Sequence, residues 1–90
     1  MYEVAVHQHA LKHGLSQEDV LYAWENFIRR QPRGVDVWAA IGFDAWGREL
    51  EMVAVVQSDG SLLIIHALSP ATLNMKRELG LDRRQGWSTR

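Results

Sequence analysis

The sequence predicts an α+β domain of order ααβββα: two N-terminal helices, a three-stranded antiparallel sheet and a C-terminal helix. Three observations carry this. An apolar stripe at helical spacing runs from Ser16 to Arg30, three apolar segments between Val35 and Ala67 are separated by turn signals, and a proline-led helix signature follows. Ninety residues with two prolines and no long polar tract make one domain over residues 1–81, with a polar tail over 82–90. A domain of this size is marginally stable alone, which leaves room for a partner or for association of like chains.

The first helix is read from Val4, Ala5, Ala10 and Leu11, whose spacing suits a short helix over residues 4–13, although Tyr2–Val6 alone also fits a strand. Gly14 can end it in a left-handed cap. Ser16 then caps the second helix, with Asp19 three residues on in a variant of the capping box. Val20, Ala23, Trp24, Phe27 and Ile28 form its apolar face, and Pro32 and Gly34 end it.

Val35, Val37, Ala39, Ile41 and Phe43 alternate at period two and give a half-buried strand that stops near Asp44. Trp46 and Gly47 make the turn. In the next strand Leu50, Met52, Ala54 and Val56 continue the alternation, but Val53 and Val55 are apolar too, so both faces are covered and the strand lies near the sheet centre. Ser58-Asp59-Gly60-Ser61 reads as a tight primed turn, and Leu62–Ala67 is the third strand. Ser69 caps the last helix with Pro70 in its first turn, Leu73, Met75 and Leu79 give a partial apolar stripe, and Gly80 ends it.

Charge excludes a strong, sequence-independent grip on nucleic acid, because the net value is −1 where such binders carry a basic excess. The basic residues are nonetheless grouped. Arg29, Arg30 and Arg33 follow the second helix, and Lys76, Arg77, Arg83, Arg84 and Arg90 crowd the C-terminus, so the two groups make a patch if the fold joins them. No cysteine means no disulfide framework and no thiolate metal site, and no segment approaches the roughly 20 apolar residues that span a bilayer. A soluble, cytoplasmic protein is expected.

No Walker loop, dinucleotide glycine fingerprint, HExxH or nucleophile elbow is present. His7, His9 and His13 lie close in sequence, but His7 is off the face that His9 and His13 share and no acid completes a tetrahedral set, so no metal or other cofactor is expected. His66 interrupts the apolar run LLIIHAL at a strand end, where an imidazole suits general acid–base work; lone strand histidines also serve as hydrogen-bonded rim residues. Arg48, just after a turn glycine, is a candidate phosphate ligand or a solvated hairpin arginine. Lys76 and Arg77, and Lys12 beside His13, can neutralise charge on a phosphoryl transition state. Trp24 and Trp38 read as core, whereas Trp46 and Trp87 read as partner contacts.

Lys12-His13-Gly14, the Ser16-led helix, Ile41-Gly42, Gly47-Arg48 and Ile64-Ile65-His66-Ala67 together resemble small bacterial toxins of the BrnT type, relatives of the RelE-like ribonuclease fold. The resemblance runs from about Val6 to Leu81. It implies the toxin of a type II toxin–antitoxin pair, held by a DNA-binding antitoxin and stopping translation by metal-independent cleavage of RNA, free or on the ribosome. It further implies a catalytic set of His66, Arg48, Lys76, Arg77 and Glu78, with Lys12, His13, Arg29 and Arg30 as substrate-binding residues. One departure is plain: the family arginine two positions beyond His66 is Leu68 here, which removes a phosphate ligand. A non-catalytic protein-binding module on the same fold is the alternative, favoured by an apolar groove without converging titratable groups.

Overall fold

The computed structural model describes residues 3–82. In order, these form β1 (Val4–Val6), a single 3-10 turn (Gln8–Leu11), α1 (Gln17–Glu25), β2 (Phe27–Gly34), β3 (Val37–Phe43), β4 (Glu49–Val56), β5 (Leu62–Leu68) and α2 (Leu73–Glu78). The strands make one five-stranded mixed sheet of order β1-β5-β4-β3-β2, in which only the β1–β5 pair is parallel. This corrects the expected ααβββα order with its three-stranded sheet.

Both corrections have local causes. The first expected helix is instead β1 followed by the 3-10 turn, because Val4–Val6 adds to the open edge of β5 and His7 N–H donates to the Ile64 carbonyl. The second expected helix stops at Glu25, short of Arg30. Asn26 leaves the helical region (φ −111°, ψ 45°), and Phe27–Gly34 becomes an edge strand antiparallel to β3. Pro32 is compatible with that strand because an outer edge asks for fewer backbone donors. Phe27 and Ile28 matched the helical stripe by spacing, yet both are exposed.

The three expected strands are present and β4 holds the middle of the sheet, but β3 begins at Val37, with Val35 exposed in the turn before it, and is covered on both faces rather than half-buried because a helix packs on each side. Each face of the sheet carries one helix. On one, Val20, Ala23 and Trp24 of α1 pack on Ala40, Leu50, Met52, Ala54 and Ile64. The close approach has a specific enabler: a Cβ on Gly42 would lie 2.1 Å from the Ala23 carbonyl oxygen. On the other face, Met75 and Leu79 of α2 pack on Ala39, Ile41 and Val53.

Caps and turns differ in detail from expectation. Ser16 Oγ accepts from Asp19 N–H at 3.1 Å, but the Asp19 carboxylate turns to Arg48 instead of closing a capping box. Thr72, not Ser69, caps α2, its hydroxyl accepting from Met75 N–H, and Pro70 lies ahead of the helix. In the β4–β5 turn Gly60 alone takes positive φ (+88°), so the turn is not of the two-residue primed kind; Asp59 accepts from Ser61 N–H instead. No helix among the described residues is long and apolar enough to cross a membrane. Arg83, Arg84, Trp87 and Arg90, with the tail beyond Asp82, lie outside the described residues.

Candidate functional site

The chemistry-bearing cluster sits on the α2 face, where β4 and β5 meet the start of α2. Glu51 is an acid inside the apolar run of β4, and its side chain is only 7% exposed. Burying a carboxylate demands donors. Glu51 has three: Thr72 N–H and Thr72 hydroxyl each donate to Oε1 at 2.7 Å, and His66 Nε2 lies 2.7 Å from Oε2. Burial pushes the Glu51 carboxyl up, but the Thr72 and His66 hydrogen bonds outweigh it and hold the group below its ordinary value.

His66 reaches this position through a β-bulge. Val53 pairs with His66 while the next residue, Ala54, pairs with Ile64, so Ile65 is extra. Without it, Ile64 and His66 would share a face by the two-residue repeat. With it, Ile64 is fully buried under α1 while His66 faces α2 with 39% of its side chain exposed. An ionised Glu51 accepts the Nε2 proton, which leaves Nδ1 as the basic nitrogen of the neutral ring. The cluster is thus an oriented imidazole capable of taking a proton.

The other expected catalytic residues do not converge on it. The Arg48 Nε donates to the buried Asp44 at 2.7 Å and its Nη2 to Asp19 at 2.9 Å, tying Arg48 to the β3–β4 turn and the first turn of α1. Asp44 also accepts from Trp46 N–H and Arg48 N–H; burial raises its carboxyl, and these Arg48 and Trp46 contacts together bring it below the ordinary range. Lys76 Nζ is 3.2 Å from Glu49, Arg77 is 3.8 Å from Asp82, and Glu78 takes both Arg33 Nε and Nη2.

The two basic groups do meet in part, but as a clamp rather than as a free patch. Arg29 donates to the Leu79 carbonyl and Gln31 to the Glu78 carbonyl, capping the C-terminal end of α2, while Arg33 pairs with Glu78. Arg30 points to the opposite face, where its guanidinium stacks on Phe27 and Trp24. Lys12 and His13 are exposed after the 3-10 turn, whose Ala10 packs into the α1-side core, on the face of the sheet opposite His66. His7 Nδ1 is occupied by His9 N–H, and among the described residues no group of three or more histidines and acids is placed to hold a metal.

Two residues of the cluster escaped the sequence reading. Glu51 was visible as the one acid inside β4's apolar run and is the signal that could have found it; Thr72 had none, because its role depends on where α2 begins. No protein-family model, curated protein or solved structure matches this chain.

Proposed function

We propose that the protein is a metal-independent RNA endonuclease that inhibits translation as the toxin of a type II toxin–antitoxin pair in the cytoplasm. One observation carries the reading: a half-exposed imidazole, His66, is oriented by a buried carboxylate that is itself fixed by Thr72. In the proposed step His66 Nδ1 takes the proton of a ribose 2′-hydroxyl as its oxygen attacks the adjacent phosphorus. The bond from phosphorus to the 5′-oxygen breaks, that oxygen takes a proton from water, and a cyclic phosphate remains. Glu51 steadies the imidazolium so formed. With Leu68 in place of an arginine, charge on the phosphate falls to Lys76, which reaches Glu49, two residues from Glu51 on the same face of β4.

A second reading, a non-catalytic protein-binding module, is favoured by the ion pairs that occupy Arg48, Lys76 and Arg77. A bacterial translation extract separates the two. The purified protein is expected to block synthesis and leave cleaved message in the presence of chelator, and His66→Ala to lower the cleavage rate about 100-fold or more. Folded wild-type protein that leaves synthesis and message intact rules the nuclease out and leaves the binding module.

A further inference from the structure

The face opposite His66 holds a cavity of about 300 Å³ between α1, β3 and the β4–β5 turn, lined by Trp24, Arg30, Trp38, Val56, Gly60 and Leu62. Its size is at the lower end of small-molecule sites. The walls are aromatic and aliphatic, and one lining side chain, Arg30, is charged. Trp24 is 1% exposed, and its Nε1–H has no hydrogen-bond partner among the described residues. That nitrogen has almost no accessible surface, so Trp24 meets the cavity through its ring rather than through its N–H.

Arg30 supplies the donors. Its guanidinium carbon lies over the Phe27 ring, 4.0 Å from the centroid, and 5.1 Å from that of Trp24, in two cation–π contacts. Arg30 forms no ion pair among the described residues, so its charge is free to meet an anion. The basic residues clamped on the other face are different, since Arg33 and Lys76 are already neutralised. The five lining side chains, Gly60 having none, offer no acceptor.

From this juxtaposition we infer that the cavity is a binding site for a small aromatic monocarboxylate. The ring fills the space beside Trp24, Trp38, Val56 and Leu62, and the carboxylate accepts from Arg30. A single cation matches one negative charge better than the nearly two of a phosphomonoester. A nucleobase fits less well, because its own donors would find no side-chain acceptor. The site lies across the sheet from His66 and stands independently of the nuclease reading.

The test is a titration of the whole protein with naphthoate, followed through the Trp24 indole N–H signal in heteronuclear NMR spectra, beside the uncharged isostere naphthylmethanol. The expected result is a saturable shift of that signal by naphthoate, with naphthylmethanol at least about tenfold weaker. Arg30→Met keeps the apolar stem and is expected to abolish the preference for the charged ligand. A Trp24 signal that stays still up to millimolar naphthoate overturns the inference. So does equal affinity for the two ligands in the wild-type protein, a comparison that needs no variant to fold.

Discussion

The two faces of the sheet are held down by different physics. Under α1 lie twelve buried core residues, all apolar, including Trp24, Leu50, Met52 and Ile64. Under α2 there are six, and the helix is fastened at its start by Glu51 on Thr72 and at its end by Arg29, Gln31 and Arg33. Apolar burial is insensitive to pH, whereas a carboxylate clamp is not. The α1 face therefore sets global stability, and on the α2 face, where His66 sits, acid can release the start of the helix itself.

Truncation tests the contrast most strongly. Ile64→Ala, at a fully buried site under α1, is expected to cost about 4 kcal/mol, against about 2 kcal/mol for Met75→Ala under the shorter α2, both read from urea unfolding. Equal costs would break the comparison. Gly42→Ala drives a methyl into the Ala23 carbonyl oxygen and is expected to cost about 3 kcal/mol in the same assay, because backbone on both sides must move.

Glu51→Gln sharpens the contrast by removing charge at nearly constant shape, with an expected cost of about 2 kcal/mol at neutral pH. The folded Glu51 carboxyl lies below its unfolded value. Its contribution is thus present above about pH 4.3 and is lost as pH falls through the folded value. Hydrogen exchange is expected to show the amides of Thr72, Met75 and Leu79 opening in acid before those of β3 and β4, and Glu51→Gln to make that opening less dependent on pH. Asp44, also depressed, gives the α1 side its own acid response through the Arg48 turn, which Glu51→Gln leaves unchanged. The smallest effect belongs to Arg33→Ala: its pair with Glu78 is solvent-exposed, so thermal unfolding should register about 0.5 kcal/mol.

Legibility in the sequence followed the range of the interaction. The apolar character of β3 and β4 is set by which faces must be buried, and both strands were readable for that reason, although the alternation of β3 suggested one covered face where the structure has two. The Phe27–Gly34 segment was not, because Phe27 and Ile28 satisfy a helical spacing and only pairing with β3 selects the strand. At the site, His66 was visible as a polar interruption of an apolar run, while Arg48, Lys76 and Arg77 were grouped with it by the resemblance to the toxin family and by their charge. Their actual partners, Asp19, Asp44, Glu49 and Asp82, are chosen by which elements the packing brings together.

By itself the sequence determined an α+β chain with three apolar strands, a serine-capped amphipathic helix and a histidine at a strand end, since these depend on periodicity, capping and turn residues within a few positions. Only the tertiary structure decided the strands β1 and β2 at the two edges of the sheet, the bulge at Ile65 that turns His66 away from the α1 core, and the union of Glu51 with Thr72 across 21 positions. Each of those is a contact between distant segments, and its free energy exists only once the chain has closed around it.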